Sequence, residues 1–446
     1  MSRTTTWFAR GATALAIMLL VSGCSRGFFG ETKTTPPLPG ERVSIMALER
    51  SLRPDERLAD VPIAVPRPFA NEEWPQPGGD AEHAMGHPAL GDAPVRAWSV
   101  DIGAGSDSDA ALLASPVLRD GRILTLDAEG LLTAFDAASG ERLWRLDTRS
   151  PAEEDAVYSG AITTGEGKVF AATGVGEVIA AALETGQELW RVNAQGPIRG
   201  APTYSDGRVF VTTIDNQALA LTAENGERAW AHSGISENAA LLGGASPAVK
   251  DSVVVVPYSS GEVFALKAET GRVFWVDSLS EVRRANAVTS LADIRGNPVI
   301  DDNIVIAMSH SGRISALDFK SGARVWERRI GGTHTPWVAG EFIFVVSNAA
   351  EVIALTRRDG RVRWLTQLPQ FESPEDREGA IQYAGPVLAG DRLIVASSLG
   401  ELHAISPYTG DPLGIVDVDD PVFIPPIVAG ESLYVLTDKG RLIAYR

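Results

Sequence analysis

Few residues in this chain could do chemistry, and their spacing does not favour an enzyme active site. His83 and His87 are four residues apart, a spacing that could hold a metal ion on a helix. They lie in a stretch rich in glycine and proline, so we expect them to be surface histidines. The remaining histidines fall in separate parts of the chain: His232, His310, His334 and His403. No GxSxG, HExxH or Walker pattern is present, so we predict no catalytic residue, no metal site and no cofactor.

Cys24 is the one side chain whose surroundings predict a specific chemistry, the attachment of lipid. The apolar run 12–21 is too short to span a bilayer and is typical of a signal peptide. It ends in small residues directly before Cys24, and this junction resembles a bacterial lipobox. We therefore expect residues 1–23 to be a signal peptide and Cys24 to carry a lipid anchor. Ser25 follows the cysteine, where aspartate commonly signals inner-membrane retention in Gram-negative lipoproteins, so serine favours the outer membrane.

The segment after the cysteine predicts a tether. Residues 24–91 are rich in proline, and such segments tend to be extended and semi-rigid. Within them, residues 42–57 could form a short amphipathic helix or a docking motif, and we favour a marginal helix with no special role. The net charge of the chain is −17, which argues against nucleic acid or anionic lipid as a general partner.

A repeated phrase organises residues 92–446. Each copy has a glycine, a short strand ending in alanine, a turn with a second glycine, and a tryptophan four residues later. The first copy runs from Gly130 through Ala134 and Gly140 to Trp144. The alanine recurs every 38 to 51 residues, at Ala134, Ala180, Ala220, Ala265, Ala316, Ala354, Ala404 and Ala444. This period is typical of a propeller blade.

The repeat predicts an all-β fold, an eight-bladed β-propeller of four-stranded antiparallel blades. The tryptophans should wedge between blades as core residues. The eighth copy lacks its last strand, and residues 94–100 supply a matching one, so we expect the N-terminal strand to close the last blade. The seventh copy has Gly414 where the others have tryptophan.

A lipobox, a proline-rich tether and eight such repeats without catalytic residues resemble the BamB family, the propeller lipoproteins of the outer-membrane β-barrel assembly machinery. The resemblance implies a scaffold that docks on the periplasmic POTRA domains of the barrel subunit and aids insertion of β-barrel proteins. It also implies unfolded outer-membrane proteins as clients. The expected location is the periplasmic face of the outer membrane, with attachment through the lipid on Cys24.

Two connections between blades match the family's docking region. The segment containing Ile198 and Arg199 resembles its Leu-Arg-Gly sequence, and the segment starting at Leu291 resembles its Leu-x-Asp-x-Asp sequence. Asp293 keeps the first aspartate, whereas Arg295 stands where the pattern has the second. The resemblance therefore implies partner-binding roles for these residues, with the charge reversed at Arg295. A salt bridge between blades is the structural alternative for Arg199 and Asp293.

Two other functions fit the same features. The repeat also resembles that of pyrroloquinoline-quinone-dependent dehydrogenases, which are eight-bladed propellers. Those enzymes commonly carry a vicinal cysteine pair over the quinone, and this chain has one cysteine. A lipoprotein propeller could also bind peptidoglycan, polysaccharide or another envelope component, and only the two matching connections argue against that.

Overall fold

The computed structural model describes residues 52–149, 160–198, 200–237, 241–280 and 292–446. Within these ranges the regular structure is β-strand, apart from one turn of 3-10 helix at Glu56–Leu58. The strands form eight four-stranded sheets, all antiparallel, and one separate two-stranded hairpin. The predicted eight-bladed propeller is therefore confirmed.

The first strand in the described residues, β1 (Arg96–Asp101), belongs to the last blade, and blades 1 to 4 follow it. Blade 1 contains β2 (Val117–Arg119), β3 (Arg122–Leu126), β4 (Leu131–Asp136) and β5 (Arg142–Asp147). Blade 2 contains β6 (Ala161–Gly165), β7 (Lys168–Ala172), β8 (Glu177–Ala182) and β9 (Glu188–Asn193). Blade 3 contains β10 (Thr203–Ser205), β11 (Arg208–Thr212), β12 (Gln217–Thr222) and β13 (Arg228–Ser233). Blade 4 contains β14 (Ala248–Lys250), β15 (Val253–Pro257), β16 (Glu262–Lys267) and β17 (Val273–Ser278).

Blades 5 to 8 continue the same order, with the separate hairpin inserted between blades 6 and 7. Blade 5 contains β18 (Val299–Asp301), β19 (Ile304–Ser309), β20 (Arg313–Asp318) and β21 (Arg324–Arg328). Blade 6 contains β22 (Trp337–Ala339), β23 (Phe342–Val346), β24 (Glu351–Thr356) and β25 (Val362–Gln367). The hairpin is β26 (Phe371–Ser373) with β27 (Glu378–Ala380). Blade 7 contains β28 (Tyr383–Ala389), β29 (Arg392–Ser397), β30 (Glu401–Ile405) and β31 (Pro412–Asp417). Blade 8 contains β32 (Ile427–Ala429), β33 (Ser432–Leu436), β34 (Arg441–Tyr445) and β1.

Each blade is a meander, so its connections divide between two faces of the ring. The first strands of neighbouring blades contact one another and surround the axis. Turns from the first to the second strand and from the third to the fourth lie at one end, which we call the hairpin face. Turns from the second to the third strand and the connections between blades lie at the other end, which we call the loop face.

The tryptophans pack between blades as predicted. Each indole N–H on a fourth strand donates to a backbone carbonyl of the next blade, as for Trp275 and Phe319 at 2.8 Å. Each ring lies on the turn glycine of that blade. A Cβ added at Gly322 would come within 2.6 Å of the Trp275 ring, and φ at this glycine is +71°. Glycine is therefore required twice over, by the left-handed turn and by the indole resting on it.

The ring closes as predicted, because β1 pairs with β34 and Trp98 lies opposite Ala444. Trp98 then packs on Gly140 of blade 1 and donates to Ala137 at 3.2 Å. Closure also explains Gly414. The third and fourth strands of blade 8 come from separate parts of the chain, so no hairpin glycine joins them to receive an indole from blade 7. A Cβ added at Gly414 would meet nothing within 4 Å.

Residues 52–91 are not the free tether that the sequence predicts, because they lie against the hairpin face. Trp74 and His87 are almost completely buried, and a series of hydrogen bonds joins this segment to the blades. The prediction that His83 and His87 are surface residues is wrong. Composition could not separate the two cases, because a proline- and glycine-rich stretch can pack as an irregular loop when its backbone groups find partners.

The predicted helix at 42–57 falls largely outside the described residues. Its described part, residues 52–57, includes the start of the 3-10 turn at Glu56–Leu58, where the Asp55 carboxylate accepts from the backbone N–H of Arg57 at 3.0 Å. No helix in the described part of the chain is long and apolar enough to cross a membrane.

Candidate functional site

The connections leading into blades 3, 4 and 5 meet on the loop face, around the mouth of the central channel. Hydrogen bonds link each connection to the next. The backbone N–H of Ser246 donates to the side-chain oxygen of Asn297 at 2.8 Å, and the N–H of Asn297 donates to the hydroxyl of Thr335 at 3.1 Å. Gly200 lies so close to the preceding connection that an added Cβ would be 2.5 Å from the Ala245 carbonyl oxygen. The two regions predicted for docking are therefore parts of one linked surface.

Asp293 lies inside this surface and is fully buried. Its carboxylate accepts a hydrogen bond from the backbone N–H of Leu241 at 2.7 Å, and its carbonyl accepts one from the N–H of His310 at 2.9 Å. It therefore joins the connection before blade 4 to the loop of blade 5. Burial lowers the pKa of His310, Asp293 opposes this effect, and Arg295 reinforces it.

Ile198 is also buried, since 9% of its surface is exposed. It forms an isolated antiparallel bridge with Thr213 and packs in the core between blades 2 and 3. Arg199, Leu291 and Cys24, which the sequence also singled out, lie outside the described residues.

Arg295 differs from these two because it is partly exposed and lines the channel. Its guanidinium lies over Gly243, where an added Cβ would be 3.5 Å from Nε. Its charge acts on His334, whose pKa falls to about 3 mainly through burial and then through Arg295. A hydrogen bond with the backbone of Tyr383 partly opposes the decrease. His334 is therefore neutral at physiological pH, and Arg295 supplies positive charge at this position.

The channel forms a cavity of about 860 Å³. Trp74, Pro77 and His83 from the segment on the hairpin face line it together with the residues that precede the inner strands. Asp107 and Asp109 also line it. Its size is within the range of ligand pockets, but its walls are those of a propeller axis, and the described residues that line it show no convergent set of catalytic groups.

Three exposed aliphatic side chains on this face were not singled out from the sequence. Ile214, Ile235 and Leu242 are 45%, 60% and 67% exposed, and Ile214 and Leu242 also line the cavity. A signal was present for Ile214. It occupies a tight turn between second and third strands, where the equivalent position is Ser259 in blade 4 and His310 in blade 5. Aliphatic groups beside an arginine suit a protein partner.

Metal chemistry finds no support in the geometry of the described residues. Nowhere among them do three or more His, Cys, Asp or Glu side chains lie where they could hold a metal ion together. His232 and His403 stay in separate blades, in β13 and β30.

Solved structures show where the fold occurs. BamB from Moraxella catarrhalis superposes with a TM-score of 0.68 at 18% identity, covering 79% of this chain and all of that one. Quinohemoprotein alcohol dehydrogenase from Comamonas testosteroni superposes with a TM-score of 0.64 at 14% identity, covering 84% of this chain and 80% of that one. At these identities the likeness shows the propeller fold alone.

Curated relatives narrow the family. The outer membrane protein assembly factor BamB of Legionella pneumophila is 28% identical over 200 residues, which is 44% of this chain and 49% of that protein. The BamB of Alkalilimnicola ehrlichii is 31% identical over 208 residues, 46% of this chain and 52% of that protein. The chain thus spans about half the length of the curated relatives that it matches.

A family model covers more of the chain. The model described as outer membrane protein assembly factor BamB matches residues 96–165, 128–366 and 370–446. These ranges include nearly the whole propeller, from the closing strand β1 to β34. The chain therefore belongs to the BamB family of outer membrane protein assembly factors.

Proposed function

We propose that this protein is a non-enzymatic scaffold lipoprotein of outer-membrane protein assembly. In this role its loop face docks on the periplasmic POTRA domains of the barrel subunit and aids insertion of β-barrel proteins. The observation that carries the proposal is the family match, which runs through nearly the whole propeller. The connections around blades 3 to 5 supply a surface with aliphatic groups and an arginine for a protein partner.

The buried residues of the predicted docking region serve this function by position. Asp293 holds the backbone at Leu241, so it fixes the connection that presents Leu242 to solvent. Ile198 anchors its connection in the core directly before Arg199. The contacts with the partner then come from Arg199, Leu242 and Arg295.

The charged contact and the aliphatic contact can be tested separately on purified protein. We expect Arg199→Glu and Leu242→Asp each to reduce co-purification with the POTRA domains at least tenfold, with the thermal midpoint unchanged. Leu413→Asp is the matched control, because Leu413 is 58% exposed but lies on the outer strand of blade 7. It should keep full co-purification. If both loop-face variants bind as well as the control, the docking site is elsewhere.

Attachment to the membrane is a separate part of the proposal. Cys24 carries the lipid, and the protein lies on the periplasmic face of the outer membrane. Replacing it by alanine should move the protein from the outer-membrane fraction to the soluble periplasmic fraction, and labelled palmitate should no longer be incorporated. A Cys24→Ala protein that stays in the outer-membrane fraction would contradict lipid anchoring.

A further inference from the structure

Residues 69–89 form a closed loop over the propeller axis on the hairpin face, which we call the axial loop. Its two ends are hydrogen-bonded to each other, with Phe69 N–H donating to the carbonyl of His87 at 3.0 Å. Ala89 N–H donates to the carbonyl of Phe69 at 2.8 Å. Phe69 and Pro88 form a parallel bridge. The chain therefore circles the axis once between these two positions.

The axial loop contacts all eight blades in their order around the ring. Each contact includes a hydrogen bond of 2.6 to 3.1 Å to an inner strand or to the residue after it. From blade 8 through blade 7 the partners are Asn71 with Val428, Trp74 with Leu118, Pro75 with Thr164, Gln76 with Tyr204, Ala81 with Val249, Glu82 with Ile300, Gly86 with Trp337, and Pro88 with Gly390.

Several side chains of the axial loop are buried, among them Trp74, His83 and His87. Trp74 is 2% exposed and stacks on Trp337, with ring centroids 6.3 Å apart. His83 Nδ1 donates to the carbonyl of Pro298 at 2.8 Å. His87 Nδ1 donates to the carbonyl of Pro66 at 2.7 Å, and its Nε2 accepts from the N–H of Asp391 at 3.0 Å. The Nδ1 atoms of both imidazoles therefore donate to backbone carbonyls, and His87 is held at both ring nitrogens.

Two glycines allow the loop to turn in the space available. Gly78 and Gly79 have φ of +85° and +95°. A Cβ at Gly78 would lie 2.8 Å from the His83 ring, and one at Gly79 would overlap the side chain of Met85. Gly86 has φ of +61° but more room, because an added Cβ would meet only Phe69, at 3.9 Å.

The course of the chain on either side shows what the axial loop connects. Before it, the N–H of Asp55 donates to the carbonyl of Val362 on the outer strand of blade 6. After it, Arg392 of blade 7 donates to the carbonyls of Gly91 and Asp92, and the chain enters β1. β1 is an edge strand whose ladder hydrogen bonds are to β34 alone, whereas the axial loop is hydrogen-bonded to every blade. The family match begins at residue 96, so the axial loop lies outside it.

From these contacts we infer that the hairpin face carries an axial peptide-binding site, occupied in cis by residues 69–89. This site, rather than the peptide bond to β1, bears the attachment of the N-terminal segment to the propeller. Its ligand is a peptide that closes into a ring around the axis, directs backbone groups to the inner strands, and places a tryptophan and two histidines in the interior.

Cutting the full-length protein just before β1 tests this inference. A specific protease sequence is inserted between Asp92 and Ala93, both of which are exposed. After cleavage we expect the N-terminal fragment to stay with the propeller through size-exclusion chromatography. Gly79→Ala should speed its release at least tenfold, whereas Gly86→Ala, which has a left-handed φ without the close contact, should speed it by a smaller factor.

A synthetic peptide of residues 66–92 provides a second readout. Fluorescently labelled peptide should bind the cut protein only as fast as its own N-terminal fragment leaves, and faster with Gly79→Ala. Wild-type fragment that dissociates as fast as the Gly79→Ala fragment, or labelled peptide that does not bind, would overturn the inference. The assay needs neither lipid nor the barrel subunit, so its result is independent of the proposed function.

Discussion

At the scale of single residues, the pairing of tryptophan with glycine between blades has the clearest consequences. The indole gives buried area and a hydrogen bond, and the glycine gives a flat surface at positive φ on which the ring rests. Neither residue type can be replaced alone, because a side chain on the glycine occupies the position of the ring. Gly414 is the exception, since its blade faces the one junction without a hairpin glycine.

The two requirements on the glycine can be separated by a matched pair. Gly322 and Gly207 have nearly the same φ, +71° and +73°, but an added Cβ meets the Trp275 ring at Gly322 and nothing within 4 Å at Gly207. Gly207→Ala should cost about 1–2 kcal/mol of unfolding free energy for the left-handed backbone alone. Gly322→Ala should cost about 1–3 kcal/mol more for overpacking. Urea unfolding measures both, and equal losses would show that the indole adjusts freely.

His83 should make stability depend on pH. Burial lowers its pKa from 6.5 to about 4, so the folded state keeps it neutral. The unfolding free energy that depends on neutral His83 is therefore fully present above pH 6.5 and is lost as the pH falls toward 4. Between pH 7 and 4.5 wild type should lose about 2–3 kcal/mol more than His83→Asn. Other groups, including His334, titrate in both proteins, so parallel curves for the two would contradict this assignment.

At the scale of elements, β1 and the axial loop both come from the N-terminal part of the chain, and each completes something that the repeats leave open. β1 supplies the fourth strand of blade 8 and the indole for blade 1. The axial loop covers the inner strands on the hairpin face. The hairpin of β26 and β27, in contrast, pairs only with itself.

Removal of β1 should therefore affect the whole ring. We expect deletion of residues 96–101 to lower the thermal midpoint by at least 10 °C, because it exposes the edge of β34 and removes Trp98 from the seam. The control replaces residues 372–379, in the exposed hairpin between blades 6 and 7, with a short glycine linker and should shift the midpoint by about 2 °C at most. Calorimetry that gives the same midpoint for both deletions would show that closure by β1 contributes little.

The elements also show what the sequence could reveal. Strands, turns and indoles follow a local phrase that each copy repeats, so blade number and ring closure could be predicted. The axial loop has no period, and its hydrogen bonds to the blades reach residues from 44 to 359 positions away, as with Trp74 to Leu118 and Asn71 to Gly430. In the connections, the burial of Asp293 and Ile198 was not predicted, because irregular backbone gives no alternation from which burial can be inferred.

At the scale of the whole molecule, the two faces of the ring have different tasks. The loop face exposes Leu242 and Arg295, for which we propose a docking role, while the hairpin face is occupied by a segment of the same chain. The channel is thereby lined at one end by Trp74 and His83. A partner on the loop face and the N-terminal attachment therefore do not compete for the same surface.

Because the axial loop contacts every blade, a change in it should affect the whole ring. Replacing residues 71–88 by a glycine-serine linker of equal length should increase amide exchange in the inner strands of all eight blades, because each loses a contact with the axial loop. The same replacement in the hairpin between blades 6 and 7 should change exchange only locally. Hydrogen exchange with mass spectrometry resolves the blades. Faster exchange confined to one or two of them would show that the axial loop does not stabilise all eight blades.

The tryptophan–glycine contact also bears on how such rings grow in evolution. Each complete repeat has a tryptophan that packs on the next blade and a turn glycine that receives the tryptophan of the preceding blade. A duplicated repeat therefore fits between two other complete repeats without new residues. Blade 7, which has Gly414, lacks the tryptophan of this contact, and blade 8 lacks the turn glycine. Duplications of complete repeats are therefore compatible with the ring at every junction between blades 1 and 7. The junction between blades 7 and 8 lacks this contact, so a duplicated repeat does not fit there in the same way.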